Sequence, residues 1–147
     1  MTVTQRYENL KSRVKERRDE FSRLMDFVEN ETDYLSSPAS TRFHLCKKHG
    51  LLEHSVNVAE NMLRLRDAIA PDIDEESCII VALIHDLGKA GMPGKPQYIA
   101  NEPTAKQKQY GYGPSVPYRM NDNLIYLSVP LRSLYLALPH ISLSESE

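Results

Sequence analysis

Residues 78–84, Cys-Ile-Ile-Val-Ala-Leu-Ile, are apolar on every side and run directly into His85 and Asp86. A helix that is hydrophobic all round belongs in the centre of a domain. Whatever this chain folds into must be built around that segment. The pattern predicts a helix from Asp74–Ser77 to Leu87, with Gly88 as its C′ residue. The run is far too short to span a bilayer. Two readings fit a His-Asp doublet at the end of such a helix: a hydrogen-bonded core pair, or two ligands aimed at a metal.

The rest of the chain reads as mostly helical. Tyr7, Leu10, Val14, Phe21, Leu24 and Val28 recur at helical spacing and predict one long amphipathic helix. Its other face carries Lys11, Arg13, Lys15, Glu16, Arg18 and Asp19. The interleaved acids make this a solvated face rather than an RNA-binding one. Ser36-Ser37-Pro38 breaks the pattern. A further helix is predicted from Leu51 to the residues before Pro71. Leu51, His54, Val58, Met62 and Leu65 fall on one stripe of it, which turns His54 toward the interior. Ser128-Val129-Pro130 caps a last helix, with Pro130 in its first turn.

Gly91 to Asn123 is different. It holds five of the nine prolines and four of the six glycines. A long irregular segment inside a small domain is usually functional or disordered. From Lys89 to Arg119, five basic residues (Lys89, Lys95, Lys106, Lys108 and Arg119) face only one acid, Glu102, and Tyr98, Tyr110, Tyr112 and Tyr118 lie among them. A basic, tyrosine-rich flap fits an anionic ligand; a plainly solvated loop is the alternative. Tyr118 to Leu127 is expected to fold back as a short β-hairpin about Asn121–Asn123.

With 147 residues, 41% of them hydrophobic and 26% charged, the chain suits one soluble domain with a real core. A net charge of −2 gives no global pull toward nucleic acid or an anionic membrane. Met1 to Leu10 lacks the apolar segment of a signal peptide. Cys46 and Cys78 are widely separated and read as free thiols. A cytoplasmic protein without membrane partners is the expectation.

Adjacent helical residues point about 100° apart, so His85 and Asp86 can reach one ion from neighbouring directions. His54, on the preceding helix, can supply a third ligand. Two imidazoles and a carboxylate suit a divalent transition metal (Zn, Mn, Fe, Co or Ni) and leave positions open for water and substrate.

At this point the sequence resembles a family. "LLEHSVNVAENML" followed by "CIIVALIHDLGK" is similar to the HD superfamily of metal-dependent phosphohydrolases. "PASTRFH" (Pro38 to His44) and "GMPGKPQYI" resemble one bacterial and phage branch of it. The resemblance covers Thr32 to Leu138. It implies an all-α helical bundle, here with a long Pro/Gly/Tyr-rich loop, and a metal held by His54, His85 and Asp86. It divides the chain into an N-terminal helix (1–31), the metal-motif helices (32–90), the loop (91–123) and a C-terminal segment (124–147). The implied reaction is hydrolysis of a nucleotide or related phosphate ester by a metal-activated water. Arg42, His44 and Lys89 are the implied catalytic residues: Arg42 forks to phosphate, His44 donates a hydrogen bond or shuttles a proton, and Lys89 contacts phosphate or pairs with Asp86. Glu53 is read as a surface ion pair ahead of a partner for His54. A nucleotide is favoured over nucleic acid as the partner.

The sequence departs from the family in three places. His49-Gly50 replaces a Gly-Gly pair and puts an extra imidazole near the site. No histidine precedes the Ser128 helix, which favours one metal over two. No aspartate follows Asp122, which lies too early to be the family's distal ligand. Ser142–Glu145 and Ser144–Glu147 match the Ser-x-x-Glu box that opens a helix. This points to a lost closing helix, with a disordered polar tail as the alternative. Loss would leave three ligands, a weakened or silent hydrolase that still binds metal or nucleotide, and an exposed apolar strip along Leu131, Leu134, Tyr135 and Leu138 that invites self-association. A helical interaction protein with a purely structural His-Asp pair is the third reading.

Overall fold

The computed structural model describes residues 1–147. Its elements are α1 (Val3–Ser12), α2 (Arg18–Glu31), α3 (Gly50–Ile69), α4 (Glu75–Ile84), a 3-10 turn (Leu87–Ala90), β1 (Tyr98–Ala100), α5 (Ala105–Gln109), β2 (Tyr118–Met120) and α6 (Val129–Ala137). The architecture is all-α apart from one two-stranded sheet. α4 supplies the middle of the core: Ile79, Ile80, Ala82 and Leu83 are fully buried. Around it pack Tyr7 and Leu10 of α1, Phe21, Leu24, Met25 and Val28 of α2, Leu52, Val56, Ala59 and Leu63 of α3, and Leu136 of α6. No helix is long and apolar enough to cross a membrane.

The single long first helix does not form; it is broken into α1 and α2 at Arg13–Arg17. The cause is tertiary. The buried Glu76 carboxylate of α4 accepts the backbone N–H groups of Lys15, of Glu16 (2.8 Å) and of Arg17 (3.2 Å). α2 has no side-chain cap of its own, so a residue some sixty positions away ends one helix and starts the next. We expect Glu76→Ala to lower stability by roughly 2–3 kcal/mol, the loss of partly buried, charge-assisted hydrogen bonds to three backbone N–H groups. Urea unfolding checks it, and a loss below ~0.5 kcal/mol, the scale of an ordinary surface change, counts against the cap.

α3 begins where the sequence placed it, for a steric reason. His49 adopts a left-handed conformation (φ 66°), and a Cβ on Gly50 would run into the Leu45 carbonyl. The chain thus turns tightly onto α3, and the His49 ring is held by the Leu35 carbonyl (2.6 Å). The buried face of α3 is Leu52, Ser55, Val56, Ala59 and Leu63. The predicted stripe through His54 is instead the edge of that face: Leu51 is buried but Leu65 is 60% exposed.

α4 ends sooner than expected, at Ile84, with His85 as its cap. Gly88 is not a C′ residue. It lies inside the 3-10 turn, where a Cβ would meet the Val129 carbonyl and the backbone of Ser133. This glycine is there so that α6 can lie directly on the turn.

The segment after Gly91 is more ordered than its composition suggests. β1 pairs antiparallel with β2, Ile99 opposite Arg119. The expected hairpin about Asn121–Asn123 is absent, because Tyr118–Met120 finds its partner some twenty residues upstream. Thr104 and Gln107 cap α5 reciprocally. The flap is anchored at its base: Asn121 N–H donates to Gln97 O (2.8 Å) and Tyr118 N–H to Thr41 O (3.1 Å).

Ser128 caps α6 as predicted, its hydroxyl accepting from Leu131 N–H. The two Ser-x-x-Glu boxes open no helix. Ser144 N–H donates to the Glu147 carboxylate (2.9 Å), which also takes Ser77 Oγ–H (2.6 Å) and pairs with Arg17 (2.6 Å). Ile141 is buried in the core. The tail is therefore pinned against α2 and α4. Leu131, Leu134, Tyr135 and Leu138 are exposed along α6.

Candidate metal centre

His54 comes from the second turn of α3, His85 from the cap of α4 and Asp86 from the next residue. α3 and α4 pack against each other, and that packing closes the group. His54 Nε2 lies 3.2 Å from Asp86 Oδ2, and His85 Nε2 lies 3.4 Å from the same oxygen. The two Nε2 atoms are 3.3 Å apart. One donor atom from each residue falls within 4.8 Å of the others. Lys89, one turn on, reaches Asp86 Oδ2 at 2.8 Å. All four side chains are partly buried.

The donor set fits a divalent transition metal. Two donors ~2.0–2.1 Å from a common tetrahedral ion sit ~3.3–3.4 Å apart. The separations seen here, 3.2 to 3.4 Å, match that. The ring orientation is also fixed. His85 Nδ1 lies 2.7 Å from Ala82 O; a carbonyl only accepts, so Nδ1 carries the proton and Nε2 turns its lone pair inward.

Electrostatics agree with this geometry. Burial, opposed by Asp86, lowers the His54 pKa below the usual imidazole value, so the ring is neutral at neutral pH. The hydrogen bond with Asp86, against burial, raises His85. Burial alone would raise Asp86, but hydrogen bonds and charge from His85 and Lys89 hold it well below the usual carboxylate range. The carboxylate is ionised throughout the physiological range.

The other sequence candidates divide. His44 stands edge-on to the His54 ring, centroids 5.8 Å apart, and is exposed. Arg42 lies over the Phe43 ring at 5.0 Å and makes no hydrogen bond or ion pair to the cluster. Glu53 pairs with Lys47 (2.7 Å). His49 is tied to Leu35, and His140 stacks on Phe27 at 4.3 Å. Neither joins the cluster. Asp122 is exposed in the loop, and no fourth carboxylate stands with the three ligand candidates. Two clefts, of about 770 Å³ between α1 and α2 and about 580 Å³ beside Arg66 and Cys78, are lined by none of these residues. Donor chemistry, not cleft size, marks this site.

Sequence reasoning missed the residues behind the cluster. Ser133 Oγ accepts Gly88 N–H (2.8 Å) and lies 3.1 Å from His85 O. Arg132 donates to Gly88 O (3.0 Å). Tyr34 O–H donates to Leu83 O (2.8 Å), bracing α4 just ahead of His85. A lone Ser, Arg or Tyr on another element carries no signal of such a contact.

No curated protein and no solved structure matches the chain. The HD domain family model matches residues 51–113, a span that takes in His54, His85, Asp86 and Lys89 and ends within the flap. HD domains bind divalent metals and as a superfamily are metal-dependent phosphohydrolases. The match falls on the residues whose donor atoms converge between α3 and α4, and it identifies an HD domain over residues 51–113 of this chain.

Proposed function

We propose that the chain hydrolyses a nucleotide or related phosphate ester, with one divalent metal held by His54, His85 and Asp86. The observation that carries the reading is the convergence of two imidazole nitrogens and an ionised carboxylate, with the Lys89 ammonium at its edge. When bound, such a metal lowers the pKa of a water and polarises a phosphoryl oxygen. Asp86 and His85 orient each other, and the Ala82 carbonyl keeps the Nε2 lone pair of His85 on the centre. Lys89 offsets charge that develops on the phosphoryl group. His44, beside His54 and open to solvent, donates a hydrogen bond or moves a proton at the leaving oxygen. Arg42 reaches phosphate only by leaving the Phe43 ring, so its contribution comes with substrate rather than before it. The flap cations, Lys95 and Arg119 among them, favour an anionic substrate. The motif segment 32–90 and the flap 91–123 work as parts of one domain in a cytoplasmic protein.

Turnover against a panel of nucleotides and phosphate esters, with Mn²⁺, Zn²⁺, Co²⁺ or Ni²⁺ supplied in turn, tests the reading. Hydrolysis that needs added metal and is lost in His54→Ala supports it. Metal binding without turnover on any substrate selects the second reading, a metal- or nucleotide-binding module, which the three-ligand set favours.

The flap yields a separate expectation. Tyr110, Gly111 and Tyr112 form its exposed tip, next to Lys106 and Lys108. Trypsin should cut there in the free protein, and a bound nucleotide should slow that cut several-fold. Unchanged cleavage across the whole panel would remove the flap from the binding site.

A further inference from the structure

Arg132 is 2% exposed, yet no carboxylate touches it. Its guanidinium donates only to neutral oxygens: Gly88 O (3.0 Å), Gln97 Oε1, Ile125 O (3.2 Å) and Leu127 O (3.3 Å). Its Nε is buried without a partner. A buried cation with no counter-ion is unfavourable for stability, and an apolar side chain of the same volume would do better. What Arg132 provides is geometry. Its oxygens come from three segments: the 3-10 turn that carries Lys89, the start of the flap at Gln97, and the irregular segment leading into α6.

The contacts on either side are directional. Gly88 has both backbone groups held by consecutive α6 residues, its N–H by Ser133 and its C=O by Arg132. Ser133 also reaches the His85 carbonyl. The peptides flanking Asp86 and Leu87 are therefore fixed from α6. Gln97, the other end of the link, is itself buried, and its backbone carbonyl accepts Asn121 N–H at the far side of the flap base.

We infer that Arg132 is a positioning residue that locks the Asp86–Lys89 turn to the base of the flap, so that order at the metal centre and order in the flap rise and fall together. The inference rests on the proposed metal site. A metal that draws in Asp86 sets the Gly88 carbonyl, and through the guanidinium it sets Gln97 and both strands of the flap. Conversely, a ligand that closes the flap stiffens the turn bearing Asp86 and Lys89.

Hydrogen exchange of the full chain, with and without Co²⁺, tests this, alongside Co²⁺ affinity and the visible spectrum of the bound ion. In the wild type, Co²⁺ should slow exchange at residues 85–89 and also at 97–100 and 118–121. Arg132→Met should weaken Co²⁺ binding by ~10–100-fold, the scale for losing a partner behind a ligand, alter the Co²⁺ spectrum, and confine the protection to 85–89. Arg132→Lys should restore part of the affinity. Gln97→Leu cuts only the flap half of the link and should keep the affinity within ~3-fold while losing protection at 97–100; it decides the matter if Arg132→Met fails to fold. Leu63→Ala, a remote core variant, should lower stability but leave Co²⁺ affinity and flap protection intact. If Arg132→Met and Gln97→Leu keep the wild-type pattern, Arg132 is packing alone and the inference is wrong. If the wild type binds no Co²⁺, the metal reading fails and takes the inference with it. If it binds Co²⁺ but hydrolyses nothing, only the proposed reaction fails.

Discussion

His85→Ala should lose at least ~100-fold in metal affinity, because one of three ligands goes and the affinity of such sites is spread over few bonds. The metal-free fold should change little, since the His85 ring is partly exposed and packs at the edge of the core. The contrast appears in a thermal melt. Metal at ~100 times its Kd should stabilise the wild type by ~2.7 kcal/mol and the variant hardly at all. The pH dependence has a definite sign. Asp86 pulls the His85 pKa above that of an ordinary imidazole, so a proton competes for Nε2 at a higher pH than usual. Affinity should therefore fall as pH drops from 8 toward 6. His54, with its pKa lowered by burial, adds little to that loss. An affinity independent of pH across this interval would argue against imidazole ligands.

Lys89→Met should separate binding from chemistry. The ammonium touches Asp86 at 2.8 Å but adds nothing to the donor set. Metal affinity should stay within ~10-fold of wild type, while phosphoryl turnover should fall by ~10²–10³, the usual effect of losing one preorganised group aimed at developing charge. KM and kcat distinguish the alternatives. A Lys89 that only binds substrate raises KM with kcat unchanged, whereas one that acts in the transition state lowers kcat. Equal losses of metal and turnover would instead make Lys89 a support for Asp86.

The convergence of His54, His85 and Asp86 was legible because its parts are local. His85 and Asp86 are neighbours, and His54 lies one helix earlier at a spacing that keeps it off the solvent face. The features that escaped are those set by partners distant in sequence. Arg13–Arg17 contains no proline or glycine to mark a break, and the Glu76 carboxylate that creates it lies on α4. Tyr118–Met120 has strand character, but nothing in it says that Tyr98–Ala100 is its partner. Gly88 looked like a helix cap because a glycine after an apolar run usually is one; here it makes room for α6. The exposed strip of Leu131, Leu134, Tyr135 and Leu138 was legible only through the resemblance, as the face that the family's next helix would cover. The tail was not. Its Ser-x-x-Glu pattern contacts α2 and α4 through Glu147 instead of opening a helix.

In the proposed function, His54, His85 and Asp86 hold one metal. Anomalous diffraction from crystals grown with Mn²⁺ or Zn²⁺ addresses it directly. A single strong anomalous peak should appear, bounded by His54 Nε2, His85 Nε2 and the Asp86 carboxylate, and should be absent in crystals of His85→Ala. Ion density elsewhere with none between these three side chains would contradict it.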